Sequence, residues 1–337
     1  MISNDNLTKF SYIKRNYNQD LKTGRFWEQL GNYSADKPLV LVLGGNGTET
    51  EKEANGNSKI VARLLGVFHQ DVDLISVSYN HAVGYKDREN SGCADIIKKF
   101  FLPRISKNGA RLPIEEACKG MRQINVFAHC HGANSILYKV IGSLKEIMKF
   151  LRYSEEEQSL ILEQIFAVSY GAAYDNEEIK RLEVLSIDDE TFQQQGIRLV
   201  RDFMFDLDKV NLNPLDKPKL EKMDSIQLYS FMMANPRCYS LPQGRSYRLV
   251  TAGLSKTGDH EIAFLERNGN WEKADSATKK GDVVSKCIAC ALCNAVANSI
   301  LNKNSQKLIP FDMEVFGQQI EDIVRLLNET EAQYENQ

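Results

Sequence analysis

Short, continuously apolar runs alternate with helical patterns along most of the chain. PLVLVLGG (38–45), VDLISVSYN (72–80) and INVFAH (124–129) have strand length and almost no polar interruptions. QIFAVSYGAAY (164–174), SIQLYSFMMANP (225–236) and SYRLVTAGL (246–254) read the same way. Between the early runs, SKIVARLLGVF (58–68) puts Ile60, Val61, Leu64 and Leu65 on one helical face. ADIIKKFFLPRI follows the second run, and a further helix starts at Pro113 with Glu115 and Glu116 in its first turn, where the helix dipole favours them. Strands that are apolar throughout, rather than in alternation, are buried on both faces. The expected fold is therefore α/β, a mostly parallel sheet with helices on both faces.

Residues 175–224 break this rhythm. The charges and spacing of EEIKRLEVL and FQQQGIRLVRDFMFDL predict a helical insertion over the sheet's carboxyl edge, ending in the loop NLNPLDKP. The last pattern, DVVSKCIACALCNAVANSIL (282–301), is the most apolar helix of the chain. Residues 1–30 and 329–337 are polar and read as an arm and a tail, leaving one domain over 31–328.

Composition narrows the partners. A formal net charge of −3 gives no global attraction to nucleic acid or to anionic membranes. No run reaches the roughly 18 apolar residues of a membrane span, and the N-terminus lacks the apolar stretch of a signal peptide. Seven cysteines, an odd number in a chain large enough to need no disulfide staples, indicate a reducing compartment, so a cytoplasmic setting is expected. The Asn- and Lys-rich composition and the tail NETEAQYENQ also resemble proteins that intracellular bacterial pathogens deliver into host cells. Oligomeric state leaves no mark on the sequence.

The chemistry concentrates at INVFAHCHGANSIL (124–137), where an apolar strand runs through His129, Cys130, His131 and Gly132 into a helical segment. A residue at such a turn is presented to solvent over the positive end of the helix. The pattern AHCHG resembles the G-x-S-x-G nucleophile elbow of the α/β-hydrolase superfamily, with Ala128 for the first glycine, Cys130 for the serine and Gly132 for the last glycine. The order of the remaining parts is also similar. LVLVLGGNGT (39–48) stands where the family has its oxyanion loop, and RLVTAGLSKTGDHEIAF (248–264) places His260 between the last strand and the last helix.

The resemblance implies a cysteine nucleophile, Cys130, with His260 as its proton partner. It further implies an oxyanion hole from the backbone of His131, Gly44, Gly45 and Asn46, and a pocket that includes His129. Two residues compete to orient the imidazole. Asp175 directly follows the strand run 164–174, and Asn235, directly after IQLYSFMMA (226–234), would act through its amide oxygen; a carboxylate also stabilises imidazolium, which favours Asp175. Asp175 is equally suited to cap the helix beginning NEEIKRL. The implied reaction is hydrolysis or transfer of an ester, thioester or amide acyl group from a small-molecule or acylated substrate, with no metal and no organic cofactor. The alternative from another class is a binding protein that keeps the scaffold without the catalysis.

Other readings of the same residues carry less. Adjacent side chains on an extended turn point apart, so His129, Cys130 and His131 converge poorly on one ion. GGNGT lacks the Lys-Ser/Thr of a phosphate loop. Cys287, Cys290 and Cys293 follow C-x-x-C-x-x-C, but Ala297 stands where a ferredoxin-type cluster needs its fourth ligand, so they read as a small-residue packing stripe. A buried core cysteine is the plain alternative for Cys130 itself.

Overall fold

The computed structural model describes residues 9–13, 27–29, 37–45, 58, 61, 72–78, 93–171, 178–187, 217–234, 238–243, 245–251, 278–304 and 311–334. Among the described residues, eleven strands run in chain order: β1 (Lys9–Ile13), β2 (Trp27–Gln29), β3 (Leu39–Leu43), β4 (Asp73–Ser78), β5 (Ser106–Lys107), β6 (Ala110–Arg111), β7 (Ile124–His129), β8 (Phe166–Tyr170), β9 (Lys180–Ser186), β10 (Cys238–Gln243) and β11 (Ser246–Thr251). The fold is α/β, a mostly parallel sheet with helices on both faces, as the apolar runs predict.

The chain divides into two compact units. The first comprises Met1–Ala167, Glu178–Lys180 and Leu292–Phe311; the second comprises Val168–Glu177, Arg181–Ala291 and Asp312–Gln337. In the first unit the strand order is β7-β3-β4-β1-β2. β3 pairs in parallel with β4 (Leu41 opposite Ile75) and with β7 (Leu41 opposite Val126), whereas β1 is antiparallel to β4 and β2, antiparallel to β1, closes the edge. Leu39, Val40, Leu41, Ile124 and Val126 are completely buried, which is why these runs contain no polar alternation.

Two side-chain devices fix the helices of this unit. The buried Asn125 of β7 donates from Nδ2 to the Leu39 carbonyl (3.1 Å) and lies 3.5 Å from Ser299 Oγ, on the long helix Thr278–Asn304. Ser299 in turn donates to the Arg122 carbonyl (2.6 Å), so the polar pair inside this core is satisfied. Arg104, 2% exposed, donates to three carbonyls: Nη1 to Phe100 (2.6 Å), Nε to Gly120 (3.0 Å) and Nη2 to Lys37 (3.3 Å).

In the second unit β9 and β11 are parallel, and β10 is antiparallel to β11. β9 corrects the expected helix over EEIKRLEVL. Its charges are not a solvated helical face: Arg181 and Glu183 alternate onto one side of the strand, and register places Glu183 opposite Arg248 of β11. Glu183, with no exposed surface, lies 3.1 Å from Arg181 Nε and accepts from Arg248 Nε at 2.7 Å. The remainder of the expected insertion, including FQQQGIRLVRDFMFDL, lies outside the described residues.

A second correction concerns SIQLYSFMMANP. Residues Ser225–Ala234 form a helix, started by Asp224 Oδ1, which accepts from the backbone N–H of Ile226 and Gln227. A ten-residue apolar run cannot be assigned by periodicity, and the capping Asp224 decides it. Strands β1 and β2 occur within residues 1–30, and the last helix, Met313–Tyr334, extends past residue 329. Among the described residues no helix is long and apolar enough to cross a membrane.

Candidate functional site

β7 ends at His129, and the chain reverses at Cys130 into the helical turn Gly132–Leu137, which is wound with π-type hydrogen bonding before it continues as the helix Tyr138–Phe150. Cys130 has φ +52°, the left-handed region that a residue with a Cβ rarely enters. Such strain persists only where the surroundings impose it, and it recurs at functional turns. The same dihedral sign is what a strand-to-helix elbow demands of its central residue.

Two glycines make the turn possible. A Cβ on Gly132 would stand 2.5 Å from the Leu43 carbonyl oxygen and 2.8 Å from that of Gly44. These are backbone atoms of β3 and the loop after it, so they cannot step aside, and the position is closed to any side chain. Gly45, in that loop, is the complementary case. Its absent Cβ would lie 2.6 Å from Cys130 Cβ, 3.3 Å from Cys130 Sγ and 3.3 Å from His129 Nδ1. The Gly-rich segment after β3 therefore passes directly against the elbow cysteine, and the two segments quoted from the sequence meet in space.

This contact corrects one expectation. The turn does not hold Cys130 out in solvent: the residue is 7% exposed, because the Gly45 backbone covers it. His129 and His131 are half-buried on either side. The Ala133 N–H is engaged by the Cys130 carbonyl at 3.0 Å, which closes the turn. Ala128, in the first small position of the elbow, is completely buried.

Neither a protein-family model nor a curated protein matches the chain. The site therefore rests on its own geometry. Of the residues expected to form it, Cys130, His129, His131, Gly44 and Gly45 come together in the first unit. Asn46, Asp175, Asn235 and His260 lie outside the described residues. The premise for Asn235 changes nonetheless, since the segment before it is the helix Ser225–Ala234 and not a strand that delivers its end to a sheet edge.

The other thiols differ in setting. Burial pushes the Cys118 thiol up to about 11, so it stays protonated at neutral pH. Cys287 is fully buried on the helix Thr278–Asn304, and Cys290 Sγ lies 3.4 Å from Gln319 Oε1. Among the described residues no group of three His, Cys, Asp or Glu side chains converges where a metal ion could be held. No local pattern in the sequence pairs Gly45 with Cys130, the contact most specific to this site. Only the two Gly-containing segments, each following an apolar run, point to it.

Proposed function

We propose that the protein is a cysteine-dependent acyl hydrolase or acyltransferase built on an α/β-hydrolase-like scaffold. The observation that carries this reading is the left-handed Cys130 between β7 and a helix, with the Gly45 backbone packed on its side chain. In this reading the Cys130 thiolate attacks the carbonyl carbon of an ester, thioester or amide, forming a carbon–sulfur bond. The oxyanion that develops accepts hydrogen bonds from the backbone of His131 and of the Gly44–Gly45–Asn46 loop. His260 takes the thiol proton and returns it to the departing alcohol, thiol or amine. Water, deprotonated by the same imidazole, then releases the acid and regenerates the thiol. Asp175 is preferred to Asn235 for orienting His260, because it follows β8, whereas Asn235 follows a helix.

The experiment compares wild type, Cys130→Ala and His260→Ala on aryl thioesters and short-chain aryl esters. Loss of turnover in both variants, with wild-type melting curves, supports the reading; undiminished turnover in Cys130→Ala overturns it. The burial of Cys130 beneath Gly45 favours one other reading, a binding protein that keeps the scaffold without turnover. No turnover by wild type on either substrate class, with no acyl-enzyme found by mass spectrometry, selects that second reading.

A further inference from the structure

The helical segment Cys93–Ile96, continuing through Ile97–Phe101 and Leu102–Arg104, runs beside the helix Tyr138–Phe150 and leaves a groove of about 790 Å³ between them. That volume falls within the roughly 300–1,000 Å³ usual for small-molecule sites. Its walls are apolar, formed by Ala94, Ile97 and Leu102 on one side and Ile147 on the other. One cation stands on each wall, Lys98 and Lys139, and no carboxylate is among the described residues lining it. Gly142 opens the middle of the groove: a Cβ there would meet nothing within 4 Å.

We infer that this groove binds a medium-chain carboxylate, independently of any chemistry at Cys130. The apolar walls match an alkyl chain, and the two lysines supply the complementary charge for one anionic head. Long lysine stems lie along apolar surface while their ammonium groups stay at the rim, where a head group is still partly hydrated. Length selects the chain. From Tyr138 to Ile147 the helix rises about 13–14 Å at ~1.5 Å per residue. An extended alkyl chain with carbon–carbon bonds of about 1.5 Å advances roughly 1.3 Å per carbon, so about ten carbons fill the groove.

Titration of the full-length protein with sodium decanoate tests the inference, with 1-decanol as the uncharged comparison. Saturable 1:1 binding is expected, at least tenfold tighter for decanoate than for decanol. Gly142→Phe fills the open space and raises helix propensity, so it keeps or raises the melting temperature while weakening decanoate binding at least tenfold. Lys98→Glu combined with Lys139→Glu also weakens decanoate tenfold or more and leaves decanol unchanged. Absence of saturable binding, equal affinity for decanol, or full binding by Gly142→Phe overturns the inference. So does a dimer in sedimentation that persists in decanoate and is lost in Gly142→Phe, which assigns the groove to a second copy of the chain.

Discussion

Gly132 and Gly45 differ in what their missing side chains protect. At Gly132 an added methyl meets backbone oxygens of β3 and its loop, so Gly132→Ala separates the elbow from the sheet. We expect a loss of about 2–3 kcal/mol in urea unfolding and loss of any Cys130 reactivity. At Gly45 the obstructed partner is Cys130 itself, and Gly45→Ala is expected to slow alkylation of Cys130 far more than it lowers the melting temperature. Equal alkylation rates in wild type and Gly45→Ala would show that the loop does not govern access to the thiol. The cysteine Cys118 provides the internal control. Its folded-state thiol titrates near 11 because burial disfavours thiolate, whereas a free thiol titrates near 8.5. A raised thiol pKa contributes stability that is complete below the unfolded value and declines as pH rises through the folded one. The contribution that depends on Cys118, about 3 kcal/mol, should therefore fade between about pH 8.5 and 11. Urea titrations of wild type and Cys118→Ala across that window measure it, and a stability difference constant with pH would contradict the assignment.

Elements were legible where burial is uniform and illegible where charge is buried. β3, β4, β7 and β8 stand out because most of their side chains are apolar and buried, and β11 stands out through Tyr247, Leu249 and Val250 although it also carries the buried Arg248. β9 was masked by Arg181 and Glu183, residue types that in isolation mark a water-facing helix. Only the partner Arg248, 65 positions away, turns them into strand residues, and no local pattern contains it. Glu183→Gln removes the buried carboxylate that faces both guanidinium groups, and we expect it to cost about 3–5 kcal/mol. Replacing all three with apolar residues of similar volume is expected to recover most of that loss in the same denaturation assay. The helix Ser225–Ala234 fails in the opposite way, since a run apolar on all sides has no period to read. Ser154 accepts from the Glu157 N–H (3.2 Å) and Glu157 accepts from the Ser154 N–H (2.8 Å), a reciprocal cap at the start of the helix Glu155–Leu162. Ser154→Ala is expected to cost about 1 kcal/mol of stability.

At the scale of the molecule, two of the three segments singled out in the sequence, the elbow and the glycine loop, come together among the described residues. The elbow and the glycine loop are each short and each follow a buried strand, and parallel pairing of β3 with β7 brings their carboxyl ends side by side. His260 and Asp175 lie outside the described residues. The completely buried pair β3 and β7 should also be the last part of the first unit to open. Amides of 39–43 and 124–129 are expected to exchange only through global unfolding, more slowly than those of the helix Glu155–Leu162, which buries only one face. Hydrogen exchange followed by mass spectrometry tests this, and faster exchange in the strands would place the stable centre elsewhere.

Arg104 makes the same unit mechanically continuous. Its guanidinium reaches carbonyls of residues 37, 100 and 120, three points far apart along the chain that a point charge cannot span at once. Lysine keeps the charge and loses the geometry. A load applied to the start of β3 is thereby shared with the ends of two helices, and position 104 tolerates only the one side chain whose planar fork can act as a rivet through all three.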